Sequence, residues 1–220
     1  MEETQKISIV LIDDQAIVRA AFKMLLESIG HFQVVGDSNN ARDGIALVAD
    51  LKPDMVILDI AMKGLSGLDA VAPIKRISPG TRVLMASQHE GVKFVQQALK
   101  AGADGYLSKD SEPQELGLAI DSILGGDSYL SPKVCGLKAG AASGDLSSLD
   151  RSSVFNVLTP REREVFQLLA IGKANKEVAV VLELSLGTVK KHRENLQRKL
   201  DCHSAAGLAR LAIREGLLDI

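Results

Sequence analysis

The chain of 220 residues has no tryptophan, only two cysteines and an aromatic content of 3%. Cys135 and Cys202 have no metal-ligand spacing and form no disulfide framework. The sequence therefore suits a reducing compartment and excludes the disulfide-stabilised secreted proteins. Hydrophobic residues nevertheless account for 46% of the chain. Its cores must be built from Leu, Ile, Val and Ala rather than from aromatic rings.

Long apolar runs are also absent. No stretch approaches the roughly 18 consecutive apolar residues that a transmembrane helix needs. The start of the chain, Met1–Lys6, is polar and acidic, unlike the basic and apolar start of a signal peptide. We therefore expect no membrane span, no signal peptide and a cytoplasmic protein.

The formal net charge of −2 conceals two regions of opposite sign. Residues 1–130 contain 12 Lys and Arg against 18 Asp and Glu, whereas residues 154–220 contain 11 against 8. An acidic region joined to a basic one indicates two different partners. The segment between them, 131–153, is aperiodic and rich in Gly, Ala and Ser, which is typical of a flexible linker. We therefore predict two domains, 1–130 and 154–220, joined by this linker.

The first region alternates between short apolar runs and segments with helical periodicity. The runs are 7–12, 32–36, 55–58, 82–86 and 104–108. Continuous apolar strands that alternate with helices are typical of a parallel sheet covered on both faces. The pattern predicts an α/β doubly wound domain with a five-stranded parallel sheet. In such sheets, ligands bind beyond the carboxyl ends of the strands.

Acidic side chains follow two of the predicted strands. Asp13 and Asp14 come directly after the first strand, and Asp59 follows the third. These acids do not serve stability, because a carboxylate that leaves water costs several kcal/mol unless it is paired. Three acids at one sheet edge would repel one another unless a cation lay between them, and carboxylate oxygens suit Mg²⁺. We therefore predict a magnesium site with one carboxylate available as a nucleophile.

Two further polar residues are expected at the same edge of the sheet. Ser87 follows the fourth apolar run and Lys109 follows the fifth. Phosphoryl transfer to a carboxylate requires charge neutralisation in the in-line transition state. Lys109 can supply the cation for this step and Ser87 a hydroxyl donor. Asp59 then becomes the candidate nucleophile, which would form an acyl phosphate.

These residues, together with the run Gly102–Lys109, resemble the receiver domain of bacterial two-component response regulators over roughly the first 125 residues. The resemblance implies a flavodoxin-like fold in which a sensor histidine kinase phosphorylates Asp59. It also implies a set of Mg²⁺ ligands. These would be Asp14 and Asp59 directly, Asp13 through water, and Ala61 through its backbone carbonyl.

The same resemblance assigns roles to three residues of the last two predicted strands. Ser87 and Tyr106 would form the switch pair that reports phosphorylation to the outer face of the domain. Lys109 would contact the phosphoryl group. In this reading the domain is the input of a switch rather than a catalyst for an external substrate.

The second region contains four short segments with helical periodicity. Thr159–Glu162 is a capping box with Pro at the first helical position, so a helix is expected to start there. The next helices are expected to start with caps at Asn175, Ser185 and Ser204. A compact helical unit with a short connection at Glu183–Leu186 is a candidate helix-turn-helix.

The third of these helices has one apolar and one charged face. Its apolar stripe, at about 100° per residue, consists of Val189, Leu196 and Leu200. The opposite face carries Lys191, Glu194 and Arg198. A basic outer face on the second helix of a helix-turn-helix suits the major groove, where Lys can donate to guanine and Glu can accept from cytosine.

The motifs Leu158–Val165, Asn175–Ala179 and Gly187–His192 resemble the LuxR/NarL-type DNA-binding domain. The resemblance implies a small all-α domain that binds double-stranded promoter DNA as a homodimer. By position, the base-reading residues would be Lys190, Lys191 and Glu194. The phosphate contacts would be Thr188, His192 and a partly packed Arg193, with Arg198 on the same outer face.

Three classes of function remain open on the sequence. The favoured one is a DNA-binding transcription regulator controlled by phosphorylation of Asp59, with Mg-dependent self-phosphorylation and dephosphorylation as its only catalysis. The second is a Mg-dependent phosphohydrolase. Such enzymes place a general acid/base two residues after the nucleophile, where this chain has Ala61. The third is an interaction adaptor whose helical domain does not bind DNA.

Overall fold

The structure, a computed structural model, describes residues 6–89, 91–133 and 154–214. The chain divides into two compact units, one built around a sheet and one all-helical. Most of the predicted linker, including Cys135, and the expected end of the last helix near Glu215 lie outside the described residues. No helix in the part of the chain that is described could cross a membrane.

The first unit alternates strands and helices in the order expected from the sequence. Its elements are β1 (Ile7–Ile12), α1 (Ala16–Ile29), β2 (Phe32–Ser38), α2 (Ala41–Leu51), β3 (Met55–Leu58), α3 (Gly67–Ile77), β4 (Arg82–Ser87), α4 (Val92–Ala101), β5 (Gly105–Ser108), α5 (Pro113–Leu124) and β6 (Tyr129–Leu130). The strands form a single sheet in the order β2-β1-β3-β4-β5-β6, and all neighbouring strands are parallel. The predicted doubly wound α/β fold is confirmed.

The sheet contains one strand more than the five predicted. β6 has only two residues, which is too short for any periodic pattern to reveal. It is defined by its pairing with the edge of β5, where Leu130 lies opposite Tyr106. The next residue, Ser131, donates its backbone N–H to the carbonyl of Tyr106 at 3.0 Å. Tertiary pairing, rather than local sequence, therefore makes this strand.

Both faces of the sheet are buried, which explains the continuous apolar runs. On one face, strand residues such as Ile9 and Leu84 pack with α1 and α5, including Leu26 and Ile120. Successive strand residues point to opposite faces, and the intervening Val10, Ile12, Val56 and Leu58 are also fully buried.

The register of the central strands aligns their carboxyl ends. Ile12, the last residue of β1, lies opposite Leu58, the last residue of β3. Asp59 continues this pairing, because its backbone N–H donates to the carbonyl of Ile12 at 2.9 Å. Asp13 and Asp59 are therefore brought to the same edge of the sheet.

The second unit is a compact set of helices. They are α6 (Val154–Val157), α7 (Pro160–Ala170), α8 (Asn175–Val181), α9 (Leu186–Leu200) and α10 (Ala205–Arg214). Their core includes Phe166, Val178, Val189, Leu196 and Leu208. The small all-α fold predicted for this region is thus confirmed.

Most of the helix starts follow the predicted caps. The Thr159 capping box is complete, and Ser185 accepts the backbone N–H of Thr188 at 3.1 Å. The expected cap at Asn175 is wrong by one position, because Asn175 is already the first helical residue and Ala174 precedes it. Ala174 has no side-chain acceptor, so the first turn is closed by the Glu177 carboxylate, which accepts the backbone N–H of Ala174 at 2.7 Å.

The helices α8 and α9 are joined by a short turn at residues 182–185. Within it, Glu183 adopts a left-handed backbone conformation with φ of 53°, which reverses the chain within a few residues. The connection is tied to α7, because the guanidinium of Arg161 donates to the carbonyl of Leu182 at 2.7 Å. This is the helix-turn-helix arrangement that the sequence indicates.

Candidate functional site

The three acids at the carboxyl edge of the sheet form one cluster. Oxygen atoms from the carboxylates of Asp13, Asp14 and Asp59 all lie within 4.8 Å of one another. Asp13 and Asp59 are buried and Asp14 is half-buried. Hard carboxylate oxygens at this spacing suit Mg²⁺, which takes one or two protein carboxylates together with waters and phosphate oxygens.

Lys109 reaches the cluster from β5, two strands away from β3. Its Nζ atom lies 2.7 Å from Asp13 Oδ2 and 3.0 Å from Asp59 Oδ1, and its side chain is 6% exposed. Burial alone would lower the pKa of Lys109, but the negative charges of Asp59 and Asp13 outweigh it and raise that pKa. Lys109 is therefore a firmly held cation between two of the acids.

Asp13 and Asp59 each have one buried oxygen, Oδ2, without a hydrogen bond among the described residues, but only that of Asp13 contacts Lys109. The pKa of Asp59 is raised from an ordinary 3.8 to about 6, chiefly by burial. The charges of Asp13 and Asp14 also raise this pKa, whereas Lys109 lowers it. The Oδ2 atom of Asp59 is buried and has no hydrogen-bond partner among the residues that the structure describes. An orphaned carboxylate oxygen in such a place is costly, and a metal ion or phosphoryl group would use it.

Asp13 is engaged on both sides of its carboxylate. Its Oδ1 atom accepts the backbone N–H of Gln15 at 2.8 Å, and its Oδ2 atom faces Lys109. These contacts leave Asp13 less able than Asp59 to contribute an oxygen directly to a metal ion.

The segment after Asp59 contains Ala61 in the loop and, at the start of α3, a glycine whose role was not predicted. Ala61 lies two residues past Asp59, between β3 and α3. A Cβ atom added at Gly67 would lie 1.8 Å from the backbone carbonyl oxygen of Asp59. Only glycine allows this close approach. The sequence offered one signal of this role, a glycine at the start of a helix, where its low helix propensity is unfavourable.

The predicted switch residues, Ser87 and Tyr106, contact the same neighbour. Ser87 is buried, and its Oγ accepts the backbone N–H of His89 at 3.1 Å. Tyr106 is also fully buried, and its hydroxyl donates to the carbonyl of His89. The His89 ring stacks on Phe94 of α4 with a centroid distance of 4.7 Å. The sequence gives no sign of His89, because a backbone bridge depends only on the path of the chain.

The predicted DNA-contacting residues lie along α9. Val189 and Leu196 are fully buried and hold the helix against the core. The exposed members of the predicted set are Thr188, Lys190, Lys191, Glu194 and Arg198, and the half-buried ones are His192 and Arg193. The side of α9 that points away from the core is therefore polar, charged and accessible within the helical unit.

Three of these α9 side chains already have neighbours within the helical unit. Arg193 donates to Asn175 Oδ1 of α8 at 3.1 Å, which fits the partial packing expected for it. The Thr188 hydroxyl lies 2.8 Å from Ser185 Oγ at the start of the helix. Arg198 donates to Asn195 Oδ1 at 3.2 Å. Lys190, Lys191 and Glu194 are exposed on this face.

An ion pair between a buried glutamate on α7 and an exposed lysine on α9 holds the two helices together. Lys199 Nζ lies 2.7 Å from Glu162 Oε2, which also accepts the backbone N–H of Thr159 at 2.9 Å. Burial would raise the pKa of Glu162, but the bonds from Lys199 and Thr159 prevail and lower it. The capping box was predicted, whereas its connection to α9 across 37 residues was not.

Comparison with known families covers both units. Residues 9–121 match the family described as response regulator receiver domain, and residues 156–212 match the bacterial regulatory proteins of the luxR family. The chain belongs to the NarL/FixJ-type response regulators. This response regulator combines a receiver domain with a LuxR-type helix-turn-helix DNA-binding domain, which is the architecture of a transcription regulator rather than of an enzyme.

Two relatives of similar length and one shorter solved structure support the assignment. The transcriptional regulatory protein MctR of Rhizobium johnstonii is 34% identical over 218 residues, which cover 99% of this chain and 98% of MctR. The nitrate/nitrite response regulator protein NarL of Escherichia coli is 34% identical over 204 residues, covering 93% and 94% of the two chains. A LuxR-family response regulator from Aurantimonas sp. SI85-9A1 shares 32% identity and a TM-score of 0.61, covering 64% of this chain and all of that one.

Proposed function

We propose that Asp59 is the phosphoacceptor through which a sensor histidine kinase controls this response regulator. The observation that carries the proposal is the state of its carboxylate. One oxygen, Oδ1, faces Lys109 at 3.0 Å, while the other, Oδ2, is buried without a hydrogen-bond partner in the described part of the chain. A nucleophilic oxygen must be held in place without being engaged in a hydrogen bond of its own. The contact of Oδ1 with Lys109 holds the carboxylate in place, and Oδ2 has no hydrogen bond in the described part of the chain.

The proposed reaction forms a bond between a carboxylate oxygen of Asp59 and the phosphorus atom of the donor. The bond between phosphorus and the donor's leaving group breaks as this bond forms, and the leaving group keeps the electron pair. Asp59 must be ionised to act, and a pKa of about 6 leaves it mostly ionised at neutral pH. Lys109 already contacts this carboxylate, and it can also neutralise the negative charge of the transferred phosphoryl oxygens.

We propose that the acids around Asp59 hold Mg²⁺. The direct ligands would be the carboxylates of Asp14 and Asp59 and the backbone carbonyl of Ala61. Asp13 would act through water, because both of its carboxylate oxygens already have neighbours. When bound, the metal supplies positive charge that neutralises the phosphoryl oxygens. Self-phosphorylation from small donors and dephosphorylation would depend on it.

The proposed switch starts at Ser87. A phosphoryl group on Asp59 offers new acceptor oxygens to the Ser87 hydroxyl. Ser87 Oγ now accepts from His89, and a change in its position would alter the backbone bridge to Tyr106. The stacked Phe94 places α4 in the same chain of contacts. We propose that this change releases the DNA-binding domain or promotes its dimerisation.

The proposed output is promoter binding by α9. We assign base reading to Lys190, Lys191 and Glu194, because they are exposed on the second helix of the helix-turn-helix. Thr188, His192, Arg193 and Arg198 are assigned to the phosphate backbone or the edge of the groove. A homodimer of this kind binds an inverted repeat whose half-site spacing follows its two-fold axis. We place the receiver domain at 1–130, the linker at 131–153 and the DNA-binding domain at 154–220.

Intact-mass measurement tests the phosphoacceptor. The protein is incubated with Mg²⁺ and a small acyl phosphate donor, and we expect one added phosphoryl group of about 80 Da. Asp59→Ala should abolish this adduct, whereas the matched control Asp54→Ala, at the opposite end of β3, should retain it. An adduct that persists in Asp59→Ala would overturn the assignment.

A second experiment separates promoter binding from an adaptor role. Bound fragments are first selected from a random pool of double-stranded DNA, and their affinity is then measured for three proteins. We expect Lys191→Ala to weaken specific binding about tenfold. Arg210→Ala, which removes an exposed charge from α10 instead, should have little effect. Full specific affinity in Lys191→Ala, or no selected fragments at all, would favour the adaptor.

A further inference from the structure

We propose that Arg19 is a positioning residue for the metal-binding acids, which it orients by holding the backbone of Asp13. The inference rests on the magnesium site of the proposed function. Arg19 lies on α1 and its side chain is 17% exposed. Its Nη1 atom donates to the backbone carbonyl of Asp13 at 2.6 Å, and its Nε atom donates to Asp37 Oδ2 at 2.8 Å.

The contacts of Arg19 complete a set that fixes the peptide between Asp13 and Asp14. The backbone N–H of Asp13 donates to the carbonyl of Ser38 at 3.1 Å. Its carbonyl accepts from Arg19, and its carboxylate contacts Gln15 and Lys109. This peptide determines the direction in which the Asp14 side chain leaves the chain. Arg19 therefore acts on Asp14 through main-chain geometry, without touching the proposed metal position.

The chemistry of arginine explains why this residue can perform the task. The guanidinium presents several N–H donors in a fixed plane, so that Nη1 and Nε point to different acceptors at the same time. The two acceptors belong to the ends of neighbouring strands, since Asp13 follows β1 and Asp37 lies near the end of β2. Lysine keeps the positive charge but has a single nitrogen, and it cannot reproduce both bonds in the same plane.

The charge of Arg19 makes the inference easy to test. A positive charge near a cation site weakens Mg²⁺ binding by Coulomb repulsion. If only charge mattered, removal of Arg19 would strengthen Mg²⁺ binding. If positioning matters, removal weakens binding instead, because supporting residues behind metal ligands typically contribute about 10-fold or more to affinity. The two explanations therefore predict opposite signs.

The experiment is calorimetric titration of Mg²⁺ into the metal-stripped, unphosphorylated full chain at low temperature. We expect Arg19→Gln to weaken binding about tenfold, and Arg19→Lys to weaken it several-fold although its charge is kept. Lys23→Gln removes an exposed charge one turn further along α1 and should leave affinity unchanged or slightly higher. Thermal unfolding in the presence of a chelator is measured in parallel, so that loss of folded protein is not mistaken for loss of affinity.

The outcomes separate the inference from the function on which it rests. Wild-type or tighter Mg²⁺ binding by folded Arg19→Gln would overturn the role of Arg19 while leaving the magnesium site intact. If Arg19→Gln does not fold, wild-type affinity in Arg19→Lys overturns it in the same way. The variant Asp14→Asn tests the site itself. Equal affinity in the wild type and Asp14→Asn, or no binding in either, would overturn the proposed site and the inference together.

Discussion

Asp59 in the receiver domain and Glu162 in the DNA-binding domain are both nearly inaccessible carboxylates that face a lysine. Their pKa values nevertheless move in opposite directions, to about 6 for Asp59 and below the ordinary value for Glu162. Asp59 shares its lysine with Asp13 and keeps one oxygen without a hydrogen bond. Glu162 has Lys199 together with the backbone N–H and hydroxyl of Thr159.

This difference is the one expected between a site used for chemistry, as we propose for Asp59, and a site that stabilises the fold. An under-satisfied buried carboxylate lowers the stability of its domain and is kept where a ligand or a reaction uses it. A carboxylate that accepts several hydrogen bonds stabilises the elements that it joins, here the start of α7 and the end of α9. Removing the charge should therefore stabilise the receiver domain at Asp59 and destabilise the DNA-binding domain at Glu162. Three predictions test this contrast, in order of decreasing effect.

Gly67→Ala should have the largest effect, because it damages the receiver site while sparing the DNA-binding domain. The new Cβ would lie 1.8 Å from the Asp59 carbonyl, and the backbone must shift to accept it. We expect the receiver domain to lose about 3 kcal/mol or more of unfolding free energy. Both tyrosines of the chain, Tyr106 and Tyr129, lie in the first unit, so tyrosine fluorescence during urea unfolding reports on this domain.

Gly207→Ala is the matched control in the other domain. A Cβ at this position would meet Cys202 Sγ at 2.6 Å and Ser204 Oγ at 2.9 Å. These are side-chain atoms that can move, and alanine gains about 1 kcal/mol in helix propensity over glycine. We expect a net change within about 1 kcal/mol. A receiver domain that tolerates Gly67→Ala equally well would show that the Asp59 backbone is not held as tightly as the structure indicates.

Asp59→Asn should stabilise the metal-free receiver domain, by about 2 kcal/mol at pH 8. The folded-state pKa of Asp59, about 6, is above its ordinary value. The folded protein therefore binds this proton more tightly than the unfolded chain does, and wild-type stability falls as the pH rises from about 4 to 7. The asparagine variant lacks this dependence, so its advantage should shrink toward acidic pH.

Urea unfolding in the presence of a chelator, followed by tyrosine fluorescence at several pH values, measures this advantage. Asp50→Asn, at an exposed position of α2 in the same domain, serves as the control for a change of charge alone. A constant difference between the wild type and Asp59→Asn across this pH range would contradict the raised pKa. Destabilisation by Asp59→Asn would mean that its pairing with Lys109 outweighs its burial.

Glu162→Gln should have the smallest effect on unfolding free energy, with a sign opposite to that of Asp59→Asn. We expect a loss of about 1 kcal/mol from the DNA-binding domain at neutral pH, since a charged cap and its ion pair with Lys199 are weakened. The folded-state pKa of Glu162 is lowered. Its stabilisation is therefore present above the unfolded-state pKa and is lost as the pH falls through the folded-state pKa.

Hydrogen exchange of the backbone amides in α7 and α9 measures this loss. Glu177→Gln is the matched control, because Glu177 occupies the equivalent place at the start of α8 and is exposed. It should change protection by less than Glu162→Gln does. An equal effect at the two positions would assign the stabilisation to capping alone and remove Lys199 from the explanation.

The sequence predicted the elements whose patterns are local. Apolar runs located the first five strands, and caps at Thr159 and Ser185 located the starts of α7 and α9. The acids were found because a carboxylate at the end of an apolar strand is unusual in a stable core. What escaped prediction depends on distant partners, namely the pairing of β6 with β5 and the contact between Glu162 and Lys199.

Residue types, spacing and periodicity were sufficient for the two folds and the set of candidate acids and bases, and the family followed from the resemblance of the motifs. They were sufficient because strands, helices and caps depend on neighbours a few residues apart. Tertiary structure alone decided which oxygen of Asp59 is left without a partner, that His89 bridges Ser87 and Tyr106, and that Arg19 holds Asp13. These outcomes depend on distances of a few ångströms between segments far apart in the chain, and no local pattern encodes such distances.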